Sequence, residues 1–271
     1  MRQEGKWIET TFDITAEDVV VYKKEISLAA SPVKAELFIT ACGIYVAYIN
    51  GARVSMPLAP GFDCYREYIP YQIYDITKIL KEKNNYISIS VARGWYDWFR
   101  LEQLKVDSAK RRMKALIRIT YSNGEEEIFS TDKSWICCRG KCLKADIYNG
   151  EEYDANIQDF YEKQVEECVC DLDSRLILFD GEAIAEQERI KPVSSFITPK
   201  GEYVIDFGQN ITGYIEFEGI AKEKEILEIS HAEVLDKDGN FYTENYRAAK
   251  SKLRYVCKAG IGDNFVVNGW L

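Results

Sequence analysis

The stretch Lys34–Val54, KAELFITACGIYVAYINGARV, constrains the fold more than any other part of the chain. Two runs rich in apolar and aromatic residues, Ala35–Cys42 and Ile44–Ile49, flank a lone Gly43, and the second run ends in Asn50-Gly51. Successive side chains of a strand alternate faces, so Tyr45, Ala47 and Ile49 point one way and Ile44, Val46 and Tyr48 the other. Both sets are apolar or aromatic, which predicts a strand buried on both sides, as in the middle of a sandwich. Asn-Gly tolerates positive φ at both positions and is a strong hairpin signal. The stretch therefore predicts a central β-hairpin of an all-β domain.

Composition narrows the class further. A chain of 271 residues suggests about two domains, and with 46% hydrophobic residues each has the means to bury a core. Tyr, at 18, outnumbers Met, at 3, a balance that favours strands over helices. The net charge of −9 argues against nucleic acid or an acidic membrane as partner. The opening MRQEGKWIETTFD has no apolar core and is not read as a signal peptide. No run approaches the roughly 20 apolar residues of a membrane span, so the expected location is cytoplasmic. The eight cysteines are accordingly expected to be thiols. Cys137-Cys138-x3-Cys142 and Cys168-x-Cys170 do not have the spacing of a zinc site, and the single His, His231, adds little. No metal and no cofactor are expected.

Taken in order, Val19–Leu28 reads as a strand broken by Ser31-Pro32. Glu67–Thr77 reads as another, with Pro70 implying an edge or a bulge. Tyr86–Val91 alternates cleanly and leads into Arg93-Gly94-Trp95-Tyr96. Met113–Tyr121, the turn Ser122-Asn123-Gly124 and Glu126–Ser130 make a second hairpin. Residues 144–161 read as a polar loop with one edge segment. The first domain is placed at 1–165, a linker at 166–194 with a short helix at Ala183–Glu188, and the second domain at 195–271. Strands of the second domain are expected at Tyr203–Phe207, Gly213–Glu218, Glu225–His231 and Leu253–Lys258.

The wording of these segments says more than their periodicity. The central stretch resembles "A.L.ITA.G.Y..Y.NG..V" of the N-terminal β-domains of bacterial α-L-rhamnosidases. The likeness continues through Leu58-Ala59-Pro60-Gly61-Phe62 with Asp63 and Tyr65, Tyr71–Thr77, Gly94-Trp95-Tyr96, and Asp146–Asp154. It runs on through Val204–Asn210 ("V.DFGQN"), His231–Asp236 ("HAEVLD") and Tyr242–Asn245 ("YTEN"). Each piece is weak alone; their order over roughly residues 7 to 258 is the signal. The resemblance implies two β-sandwich domains, the first a jelly roll of galactose-binding type, the second concanavalin-like. It implies a parent reaction, the inverting hydrolysis of terminal α-L-rhamnose from glycosides, with the acid and base on a helical toroid that follows the β-domains.

Glycoside hydrolysis generally needs two carboxylates across a sugar ring, and no spacing of Asp or Glu here selects such a pair. The chain also shows no long run of amphipathic helices. No catalytic residue is therefore carried over, and the chain alone is expected to be inactive. It is read as a non-catalytic β-region that braces a missing catalytic domain; the alternative is a stand-alone carbohydrate-binding module. Trp95, Tyr96, Asp97 and Trp98 are the candidate carbohydrate contacts, because a flat aromatic platform with a carboxylate suits the C–H faces and hydroxyl edges of a sugar. Three roles stay open for this cluster: sugar contact, packing against another domain, and anchoring in the core. Asp206, Gln209, Asn210, His231 and Glu233 are candidates for interdomain contact. Residues 259–271 supply little strand character. The second sandwich is thus expected to lack its closing strand or to fill that place poorly. It would then self-associate as a homo-oligomer, or the tail would fold back over the open edge.

Overall fold

At Gly43 the chain leaves one sheet and enters another. The computed structural model describes residues 4–65, 67–96, 110–170, 175–218 and 221–258, together with the backbone of 264–266. In chain order the strands are β1 (Trp7–Glu9), β2 (Val20–Leu28), β3 (Lys34–Cys42), β4 (Ile44–Ile49), β5 (Ala52–Arg53), β6 (Ile69–Asp75), β7 (Lys83–Ala92) and β8 (Arg112–Thr120). There follow β9 (Glu126–Ser130), β10 (Ile136–Arg139), β11 (Cys142–Asp146), β12 (Gly150–Asp154), β13 (Phe160–Gln164), β14 (Glu166–Cys168) and β15 (Leu176–Leu178). The last are β16 (Ser194–Ile197), β17 (Tyr203–Asp206), β18 (Glu216–Glu218), β19 (Ile226–Ser230), β20 (Val234–Leu235), β21 (Phe241–Tyr242), β22 (Lys252–Val256) and β23 (Asn264–Val266). The chain is all-β, and it divides into two units: residues 1–145 with 157–184, and residues 146–156 with 185–271.

The first unit is a sandwich. One sheet runs β14-β1-β8-β3-β6-β15 with β9 on the flank of β8; the other runs β13-β10-β2-β7-β4-β5. Their inner faces share one core, in which Leu37, Ile39, Ile117 and Ile119 of the first sheet meet Tyr22, Tyr45, Ile49, Ile87 and Ile89 of the second. Tyr45, Ala47 and Ile49 are the inward set that the alternation predicts. The two runs that flank Gly43 do not pair with each other: β3 pairs β6 and β8, whereas β4 pairs β5 and β7. Gly43, at φ 142°, makes the crossing, and a Cβ built on it would sit 2.1 Å from the Ala92 carbonyl oxygen. The Asn50-Gly51 turn does close a hairpin, but a short one, joining β4 to β5 with both residues at positive φ.

Pro70 does not mark an edge. Strand β6 lies between β3 and β15. Its pairing with β3 begins only at Gln72, so the missing N–H of Pro70 falls outside that ladder. Nor is 166–178 a linker. Strand β14 pairs antiparallel with β1, and β15 runs parallel to β6, so this stretch closes both ends of the first sheet. Ala183–Glu188, expected as a short helix, is irregular. At the other end of the sheet, Lys110 and Arg112 both bond the carboxylate of the nearly buried Glu9 on β1, Arg112 Nε donating at 2.8 Å. Burial alone would raise the Glu9 pKa, but the two cationic donors outweigh it and hold the group below its ordinary 4.5.

In the second unit, β22 is the organising strand, flanked by β12 in parallel and β19 antiparallel. Residues 144–161, read as a polar loop with one edge segment, thus contribute β12, which pairs along its length with β22. Three two-stranded ladders complete the unit: β16 with β17, β18 with β23, and β20 with β21. The pairing Glu216↔Val266 to Glu218↔Asn264 means that the segment near the C-terminus folds back onto β18.

Two outcomes follow from this architecture. Gly43→Ala should lower unfolding free energy by at least about 2 kcal/mol, since the new Cβ meets backbone. Gly51→Ala, also at positive φ but with nothing within 4 Å, should cost only about 1 kcal/mol. Equal losses by urea titration would contradict the crossing role. Second, Glu9 is ionised more readily in the folded chain than in the unfolded one. Its contribution is therefore full above the ordinary carboxylate range and fades as pH falls through it. The stability gap between wild type and Glu9→Gln should be widest at neutral pH and shrink on acidification below about pH 4.5. A gap that stays constant with pH would refute this.

Candidate functional site

The candidate site grows out of the loops that follow β5 and β7. The described residues between 54 and 68 hold no helix or strand yet are fixed from below. Tyr45 reaches up from β4, its hydroxyl donating to Gln72 Oε1 at 2.6 Å and lying 3.2 Å from the Tyr74 hydroxyl. Gln72 Nε2 in turn donates to the Pro60 carbonyl at 2.9 Å, and Tyr45 N–H donates to the Ala59 carbonyl at 2.7 Å. The Ala59–Pro60 peptide is cis. Tyr65, fully buried, donates its hydroxyl to the Gly61 carbonyl. Burial pushes the Tyr45 and Tyr65 phenols up, so both stay neutral donors.

On this floor stand the aromatic groups. Phe62, 65% exposed, meets Trp95 edge-on at a ring separation of 5.5 Å. Tyr96 is buried and meets Tyr65 at 5.6 Å, in a cluster with Trp7, Cys42, Ile69, Cys170 and Leu176, against which Trp95 packs. Gly94, at φ 56°, lets this segment pass over Ile44; a Cβ there would lie 2.4 Å from Ile44 Cγ1. Beside the aromatics, Asp63 Oδ1 accepts hydrogen bonds from the Tyr68 hydroxyl at 2.6 Å and from Cys64 N–H at 2.7 Å. That bond to Asp63 is the main reason the Tyr68 pKa is raised to about 12.

Of the four residues expected to contact carbohydrate, Trp95 and Tyr96 fall at this place, but only Trp95 retains exposed surface; Tyr96 is an anchor. Asp97 and Trp98 lie outside the described residues. Phe62 and Asp63 complete the rim. The sequence carried a signal for them, the LAPGF turn, but nothing in it showed that Phe62 would stand beside Trp95.

The second set lies in the second unit. Asp206 ends β17, is exposed, and accepts from Gly208 N–H at 2.7 Å. Gln209, Asn210 and Glu233 are exposed. His231 is half-buried, its Nδ1 3.2 Å from the Ser251 carbonyl. No hydrogen bond or ion pair joins Asp206, Gln209 or Asn210 to His231 or Glu233. A polar knot that the sequence did not announce lies nearby in this unit. Glu202 accepts from the Thr198 hydroxyl at 2.7 Å and Phe241 N–H at 3.0 Å, and the Asp236 carboxylate accepts from Asn240 N–H at 2.8 Å. Hydrogen bonds, first from Thr198 and first from Asn240 respectively, hold both carboxylates below their ordinary range. Among the described residues, no group of three or more His, Cys, Asp or Glu is placed to hold a metal ion, and no helix is long and apolar enough to cross a membrane.

Comparison with known proteins gives concordant matches. Residues 30–172 match the family model of the α-L-rhamnosidase N-terminal domain, and residues 197–268 that of the bacterial α-L-rhamnosidase concanavalin-like domain. An α-L-rhamnosidase of Streptomyces avermitilis is 30% identical over 242 residues, covering 83% of this chain and 23% of that protein. The crystal structure of native α-L-rhamnosidase from Aspergillus terreus superposes with a TM-score of 0.89 at 25% identity, over 97% of this chain and 32% of that one. That of the Streptomyces avermitilis enzyme complexed with L-rhamnose has a TM-score of 0.83 at 24% identity, over 94% of this chain and 26% of that one. The chain thus spans about a quarter of the length of the curated relatives it matches, 23% in one and 28% in another.

The buried network makes a direct prediction. Tyr45→Phe leaves Gln72 Oε1 without its buried donor and should cost about 1–3 kcal/mol. Tyr68→Phe, at the partly exposed rim, should cost less than about 1 kcal/mol. Denaturant titration that ranks them the other way would show that the loop does not hang on Tyr45.

Proposed function

The chain belongs to the α-L-rhamnosidase N-terminal domain family, and from that premise we propose that it serves as the non-catalytic β-region of an α-L-rhamnosidase. In this reading it braces a catalytic domain and contacts carbohydrate at the Phe62–Trp95 rim, while hydrolysis of terminal α-L-rhamnose is carried out by other polypeptide. The observation that carries the reading is the pair of adjacent family matches, over 30–172 and 197–268, in a chain a quarter as long as its relatives. The first unit is, on the same reading, a jelly roll of galactose-binding type. On the same reading the chain is cytoplasmic.

The bracing role is supported by the surface of the second unit. In the β16–β17 ladder, Ile197 pairs with Tyr203 and Ser195 with Ile205, which sets Ile197, Tyr203 and Ile205 on one face. Ile197 is 70% and Tyr203 69% exposed, and Val193, just before β16, is 67% exposed. A contiguous apolar face of this kind is characteristic of surface that another domain covers.

The alternative, a stand-alone carbohydrate-binding module, is favoured by one observation, the exposure of Phe62 beside Trp95. The two readings separate in one pair of assays on the purified chain. Aryl α-L-rhamnoside turnover should not exceed a buffer blank; clear turnover would refute the non-catalytic reading. Calorimetry with L-rhamnose should give weak or no binding for a bracing region. Tight binding that Trp95→Ala abolishes would establish the module instead.

A further inference from the structure

Beneath the aromatic rim lie two thiols that the proposed function does not use. Cys42 is the last residue of β3, and Cys170 lies two residues beyond β14. They are 128 positions apart in sequence, yet their Sγ atoms are 3.9 Å apart, and the residues are 1% and 3% exposed. The chain leaves β14 at one edge of the first sheet and returns as β15 at the other, with β3 between the two edges, and both thiols enter the cluster of Trp7, Tyr65, Ile69 and Tyr96. Val169, between Cys168 and Cys170, points outward at 87% exposed, so this segment lies at the surface with its thiols turned inward. A disulfide needs sulfurs about 2.05 Å apart, so closing the bond brings the two sulfurs nearer from their contact at 3.9 Å.

We propose that Cys42 and Cys170 form a redox-active dithiol that a small disulfide oxidant, such as oxidised glutathione, closes into an intrachain disulfide. The exchange balances without further reactants. One thiol loses its proton and attacks a sulfur of the oxidant, forming a mixed disulfide and expelling one glutathione thiolate. The second thiol loses its proton and attacks the protein sulfur of that mixed disulfide, expelling the second thiolate. The two cysteines are oxidised by two electrons, and two molecules of reduced glutathione leave with the two protons. Opening of the short segment around Val169 gives the oxidant access. The bond fastens the end of β3 to the chain beyond β14 and locks the floor under Trp95. It closes a long loop, the case in which the unfolded chain loses most freedom.

The test uses the reduced 271-residue chain, incubated with oxidised glutathione, acid-quenched, alkylated in denaturant and digested for mass spectrometry. The exposed Cys64 is the internal control, since it reacts if the oxidant is competent. The expected result is a Cys42–Cys170 cross-linked peptide, retained in Cys168→Ser, reversed by dithiothreitol, and accompanied by a higher melting temperature that the reductant removes. Alkylated Cys42 and Cys170 in a sample whose Cys64 carries glutathione would overturn the proposal. So would a Cys42–Cys168 link in their place.

Discussion

A two-sheet core requires the chain to pass from one sheet to the other without leaving backbone groups stranded, and here the central passage is a single residue wide. Gly43 sits against the Ala92 carbonyl at a distance that no Cβ tolerates. Because it does, β3 ends on β8 and β6 while β4 begins directly on β7, and the inward faces of both strands enter the same interior. Gly94 repeats the device on the partner strand, passing close over Ile44. The two glycines thus bring the β3–β4 crossing and the β7 exit together, and the aromatic segment of Trp95 and Tyr96 leaves from that point. The rim is a consequence of the crossing.

The two units solve burial differently. In the first, side chains from both sheets are almost wholly withdrawn from water, and each fully buried aliphatic contributes about 1.5–3 kcal/mol. In the second, the core cluster among the described residues contains Leu253 and Cys257, with Phe217, Leu227, Ile229 and Tyr255 partly covered. Its order rests more on backbone ladders and on polar turns such as the one built on Asp236 and Glu202. A unit with so little apolar interior and so much exposed apolar side chain gains most from further burial, which is the physical content of a bracing role.

Much of this was legible in the sequence. Alternation in Ile44–Ile49 sorted Tyr45, Ala47 and Ile49 onto one face, which enters the core, and the turn at Ser122-Asn123-Gly124 joins β8 to β9 as read. What failed were statements about partners. The passage between sheets at Gly43 was not visible, because periodicity reports faces, not which strand lies alongside. Pro70 looked like an edge because the rule concerns a missing donor, and here the donor is missing where no β3 partner waits. Residues 166–178 looked like a linker because acidic, short segments carry no period, yet two three-residue strands there complete a sheet. At the site, the Trp95-Tyr96 pair was visible as composition, but the division between a half-exposed contact and a buried anchor depends on Tyr65 and Phe62, which lie 30 residues or more earlier in the chain.

The chemistry open to the rim follows from what its polar neighbours are already doing. Asp63 might have supplied the carboxylate a sugar hydroxyl seeks, but one of its oxygens already accepts from Tyr68 and from the Cys64 amide. Gln72 spends its amide on Pro60 and its oxygen on Tyr45, inside the core. Among the described residues of the rim, the ring of Phe62 and Cys64 are exposed, and Trp95, Asp63 and Tyr68 are partly so. Such a surface can stack on the C–H face of a sugar but has few free groups with which to read its hydroxyls or protonate its glycosidic oxygen. On the proposed reading, recognition there is led by shape, and the polar contacts to a sugar are supplied from elsewhere.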